Sequence, residues 1–127
     1  MNTTNFITAT SRTDGDDEHY KLAAERAASC AKELHYTLGL VTEAGEIADV
    51  YKKFIGYGKE PDNINVKEEI GDLLWYVARF LELKNWTFEE VMRLNTDKLR
   101  ARYPEKFTQE AAENRDLKAE RRILENE

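Results

Sequence analysis

Little in this chain can cross-link it or break it. Cys30 is the one cysteine in 127 residues, so no intrachain disulfide can form, which fits a reducing compartment. Two prolines and six glycines leave few interruptions, and charged residues make up 35%. That composition favours helices with salt-bridged outer faces. A basic excess is also missing: the net charge is −6, which argues against a binder of nucleic-acid polymers. A small polyphosphate held through a metal stays compatible with it. No apolar run approaches the length of a membrane span. Residues 1–10 lack a basic start followed by an apolar run, so no signal peptide and a cytoplasmic location are expected. Hydrophobic residues, at 41%, suffice for one core in a chain of this length.

Three segments follow from the pattern along the chain. Residues 1–17 are rich in Thr, Asn, Ser and Asp, with Phe6 and Ile7 as anchors for a short helix and Asp14, Gly15, Asp16 and Asp17 as a turn or helix entry. Residues 18–107 form the main domain. Helices are expected from Glu18 to Lys32 and from Glu33 to Gly56, either continuous or broken near Glu33. Gly56, Gly58, Pro61, Asp62 and Asn63 mark a loop. Asn65 and Glu68 read as a capping box opening a helix to Lys84, and Thr87 and Glu90 as a second box opening a helix to Arg102. Pro104 stops that helix by restricting Tyr103. Residues 108–127 read as a helical tail, solvated or partner-contacting, with Leu117, Ile123 and Leu124 as its apolar anchors. The expected fold is an all-α antiparallel bundle of four to five helices.

Two acidic pairs stand out: Glu43 with Glu46, and Glu69 with Asp72. Positions i and i+3 share a helix face. Glu43 and Glu46 share theirs with Ile47, Val50 and Phe54; Glu69 shares its face with Val66, Leu73, Val77 and Phe80. If those apolar residues are buried, four carboxylates point inward, and such a cluster requires cations. Divalent metal is one solution; a solvated face with i, i+4 partners is the other. Gly45 and Gly71 each precede the second acid of a pair, within helices where glycine costs about 1 kcal/mol relative to alanine. They suggest close helix approach or ligand access.

The strings carrying these acids are Leu38 to Ala48, Glu68 to Tyr76, and Asn95 to Pro104. Together they resemble the MazG-like family of all-α nucleoside triphosphate pyrophosphohydrolases, whose hallmark is ExxE, a spacer, then ExxD. The likeness covers roughly residues 20–107. It implies metal-dependent hydrolysis of an NTP or dNTP between the α and β phosphates, with (d)GTP preferred as in some phage relatives. It implies Mg²⁺, or Mn²⁺, with two or more ions per site held by Glu43, Glu46, Glu69 and Asp72. One of these acids would orient the attacking water. Lys53, Lys98 and Arg102 become phosphate-binding residues. His35, Asn95 and Tyr103 become substrate-binding residues. A nucleoside triphosphate is the implied partner, and a homodimer or homotetramer the implied assembly. An all-α dUTPase and a phosphoribosyl-ATP pyrophosphatase are the near alternatives. A non-catalytic helical interaction module, its acids neutralised by basic side chains, is the distant one.

Overall fold

The computed structural model describes residues 2–125. Among them all regular structure is helical: α1 (Thr3–Ser11), α2 (Asp17–Ser29), α3 (Ala31–Tyr57), α4 (Asn63–Lys84), α5 (Phe88–Arg102), α6 (Gln109–Glu113) and α7 (Leu117–Leu124). The fold is all-α, as the composition implies. Seven helices replace the expected four to five because the segment around Phe6 folds and the tail divides in two.

Each boundary has a local cause. Asp16 accepts the His19 N–H at 2.8 Å and opens α2, satisfying one of the first turn's free donors. The helix then breaks at Cys30 (φ −125°, ψ 35°), three residues before Glu33. α3 ends at Gly58, whose φ of 68° lies in the left-handed region that glycine enters freely. The Gly58 N–H reaches the Phe54 carbonyl at 2.8 Å, and the Lys59 N–H reaches that of Lys53 at 3.4 Å. The bond from the left-handed Gly58 back to Phe54 is the closure of an αL cap.

The start of α4 differs from the expected capping box. Asp62, directly after Pro61, accepts the N–H groups of Ile64 at 2.9 Å and Asn65 at 3.3 Å. With those donors satisfied, the helix begins at Asn63, and Asn65 lies inside its first turn. Thr87 does cap α5 as expected: its hydroxyl oxygen accepts the Glu90 N–H at 3.1 Å. In the tail, Asn114 leaves the helical region, and Asp116 caps α7 through the Ala119 N–H at 3.0 Å.

The chain divides into two compact units, Met1–Ile70 and Gly71–Glu127, with the boundary inside α4. In the first, α2 packs on α3; in the second, α5 packs on α7. The α5–α7 contact is pinned by Glu120, whose oxygens take the Nε and Nη2 of Arg102 at 2.8 and 2.6 Å and the Nη2 of Arg115 at 2.6 Å. Both carboxylate oxygens are thus paired, as a buried acid requires. The two guanidinium groups, Arg102 first, hold the Glu120 carboxyl down to a pKa of about 2.

Among the described residues, Leu81 is the one buried large hydrophobic side chain, and it keeps 8% exposure. Ile47 and Val50 are half-buried, but Phe54 is 42% exposed, so the apolar stripe beside the first acidic pair is not sealed as its periodicity suggests. Leu34, Leu38 and Val41 along α3, and Ile70, Leu74 and Trp75 along α4, are likewise exposed.

Candidate functional site

Four carboxylates come from two helices. Glu43 and Glu46 lie one turn apart on α3, and Glu69 and Asp72 one turn apart on α4. One oxygen from each of Glu43, Glu69 and Asp72 lies within 4.8 Å of the other two. Glu69 is buried, Glu43 half-buried, and Glu46 and Asp72 exposed. Of the inward-pointing set expected from spacing, only Glu69 is buried.

Glu69 is the centre of the group. Burial pushes its carboxyl above the ordinary carboxylate value; the nearby Glu46 charge and a hydrogen bond with Glu46 add to this, and Glu43 contributes further. Asn65 opposes them by donating its side-chain amide to the Glu69 Oε1 at 3.0 Å. Like charges this close resist joint ionisation unless a cation joins them. The donors are hard carboxylate oxygens, with no thiolate or imidazole among them. That set suits Mg²⁺, Ca²⁺ or Mn²⁺ rather than a soft metal, so the residues fit a hard divalent ion.

A cavity of about 590 Å³ opens beside the acids within the first unit. Thr42, Gly45, Glu46 and Val50 line it from α3, Lys59 and Glu60 from the connecting loop, and Asn65 and Glu69 from α4. A β-carbon built at Gly45 would meet no atom within 4 Å, and the same holds at Gly71. Neither glycine marks a close helix approach in this chain; Gly45 instead widens the cavity wall.

Asp49 and Lys53 also line the cavity and pair at 2.5 Å, with Lys52 at 3.9 Å from the same carboxylate. Asp49 is held below its ordinary pKa, chiefly by the Lys53 hydrogen bond, with smaller contributions from Lys52 and Lys59. The carboxylates of Glu46, Asp49, Glu60, Asp62 and Glu69 outnumber the ammonium groups of Lys53 and Lys59 around this space. An anion alone meets a repulsive field there; an anion carrying divalent cations does not.

The remaining sequence-derived candidates are distributed as follows. His35 sits on α3, its ring 5.7 Å from that of Tyr36. Lys98, Arg102, Asn95 and Tyr103 belong to the second unit. Asn95 lines an apolar groove of about 420 Å³ with Trp86, Val91, Leu94 and Leu124. Lys98 is half-buried on α5. Arg102 carries Glu120 and stands 5.7 Å from the Tyr103 ring centre. Sequence reasoning missed Asn65 as the support of Glu69, although its i, i+4 spacing was legible. It also missed Lys59, Arg115 and Glu120, which no local pattern marks.

Residues 31–107 match the MazG nucleotide pyrophosphohydrolase domain. The chain is also 33% identical over 85 residues to the Gene 37 protein of Mycobacterium phage L5, across 64% of this chain and 75% of that protein. No solved structure matches. The chain therefore belongs to the MazG nucleotide pyrophosphohydrolase family, a metal-dependent family, and the acid cluster on α3 and α4 falls inside the matched span.

Proposed function

We propose that this protein hydrolyses a nucleoside or deoxynucleoside triphosphate between the α and β phosphates, releasing a monophosphate and pyrophosphate. The observation that carries the reading is the convergence of Glu43, Glu69 and Asp72 oxygens within 4.8 Å beside a cavity of nucleotide size. Glu43, Glu69 and Asp72 would hold Mg²⁺ or Mn²⁺, with room for more than one ion given the number of carboxylates. When bound, such ions neutralise polyphosphate charge and make water a stronger nucleophile.

The chain's own residues supply the rest. Asn65 keeps one Glu69 oxygen turned to itself and leaves the other for a ligand role. Glu46 lies outside the three-oxygen cluster, is exposed, and lines the cavity beside Glu69, so it is the acid assigned to take the proton of the attacking water. Water adds to the α phosphorus, the bond from that phosphorus to the α–β bridging oxygen breaks, and the electron pair leaves with pyrophosphate. His35 is assigned to the nucleoside, with (d)GTP the preferred substrate; Lys53 pairs with Asp49 and Arg102 with Glu120, so neither is assigned to phosphate. Chromatography of products from each canonical NTP and dNTP, with and without Mg²⁺ or Mn²⁺, tests the reading. Full activity in Glu46→Gln would remove the proposed role of that residue.

The acting form is a homodimer or homotetramer. Leu34, Leu38 and Val41 recur at helical spacing on α3 and are exposed, and a chain with one buried large hydrophobic side chain among its described residues gains stability by covering such stripes with a second copy. Light scattering reads this directly, as a mass at two or four times 14.8 kDa. A mass of one chain would contradict it.

A further inference from the structure

We propose that Lys59 holds the pyrophosphate half of the substrate and so fixes its direction in the cavity, with the nucleoside pointing away from the α3–α4 loop. The inference rests on the pyrophosphohydrolase reading and deepens it.

The cavity offers two ammonium groups, on Lys53 and Lys59, and they are not equivalent. Lys53 is spent on Asp49 at 2.5 Å. Lys59 makes no ion pair within 4 Å among the described residues and acts on Asp49 only from beyond contact distance, so its ammonium donors remain for a ligand. A lysine already neutralised at contact distance adds little attraction for an anion, whereas one with no contact partner attracts it more strongly.

The position of Lys59 is fixed by its backbone. It follows Gly58, the left-handed residue ending α3, and its N–H is tied to the Lys53 carbonyl at 3.4 Å. Three residues on, Asp62 is held by the N–H groups that open α4. Both ends of the loop are anchored, and Lys59 is presented from it into the same space that Glu46 and Glu69 line from the helices. A triphosphate must place its α–β linkage at the acids. Its β and γ phosphates then need a cation on one side, and Lys59 supplies one on the loop side. Because carboxylates outnumber lysines around the cavity, pyrophosphate should bind only together with divalent metal.

The test is product inhibition of the full-length protein, with Lys59→Ala and Lys59→Arg compared to wild type in Mg²⁺. Pyrophosphate and the nucleoside monophosphate serve as separate inhibitors, and each variant's melting temperature checks folding. The expected result is a rise of about tenfold or more in the pyrophosphate inhibition constant of Lys59→Ala, the size of one lost charge-assisted contact. The monophosphate constant should stay within about twofold, and Lys59→Arg should restore most of the loss. Equal pyrophosphate inhibition in Lys59→Ala and wild type would overturn the role of Lys59 while leaving the activity standing. A wild type that turns over no nucleotide and does not bind pyrophosphate with Mg²⁺ would overturn both readings.

Discussion

Asn65 donates its side-chain amide to Glu69 at 3.0 Å, one turn away along α4. The contact joins the first turn of the helix to the most buried acid of the cluster. It occupies one carboxylate oxygen and orients the other, the task that outer-shell partners perform in metal sites. Asn65→Leu removes the donor while keeping an apolar stem of similar size. It is expected to weaken Mg²⁺ binding about 10- to 100-fold, read as a shift in the metal concentration that half-saturates activity. Unchanged metal dependence would show that Glu69 needs no such support.

Glu69 itself sits with its pKa raised, first by burial and then by Glu46. A carboxyl whose folded pKa lies above its unfolded value costs stability while ionised. That cost is present at neutral pH and disappears as pH falls below the ordinary value of 4.5. A bound cation removes it too. Glu69→Gln should therefore melt no lower than wild type without metal, yet lose the stabilisation of about 3 °C or more that millimolar Mg²⁺ gives wild type. A melting scan with and without Mg²⁺ separates the two effects. A preserved metal shift would take Glu69 out of the ligand set.

Glu120 shows the opposite sign. Its carboxyl is lowered from 4.5 to about 2 by Arg102 and then Arg115, so its contribution to stability is present above 4.5 and is lost as pH falls toward 2. Glu120→Gln breaks the bidentate contacts and leaves two guanidinium groups without their shared partner. The melting temperature at pH 7 is expected to fall by roughly 5 °C or more. The acid limb of the stability curve between pH 4.5 and 2 should flatten in the variant. Parallel curves for variant and wild type would place the acid sensitivity elsewhere.

These residues also mark how far the sequence can be read. Thr87 and Glu90 announced their helix start correctly because a capping box is a local arrangement. Asn65 misled for the same reason: it resembles a cap, but Asp62 reached the free N–H groups first, and the Asn65 amide turned to Glu69. The break at Cys30 carries no glycine or proline to signal it. Arg102 and Glu120 are 18 residues apart, beyond any periodicity. The acids were legible from their i, i+3 spacing, but the pattern could not say that Phe54 would remain exposed. Apolar periodicity identifies a face that needs covering, not whether the same chain or a second copy covers it.

The central claim is that the acids of α3 and α4 support metal-dependent cleavage of a nucleoside triphosphate. The most direct measurement incubates wild type and Glu46→Gln with each canonical NTP and dNTP, with and without Mg²⁺, and quantifies monophosphate and pyrophosphate. The account predicts equal amounts of the two products, formed only with metal, and a loss of about 100-fold or more in Glu46→Gln. Release of inorganic phosphate with a diphosphate, or no turnover of any nucleotide with or without metal, would contradict it.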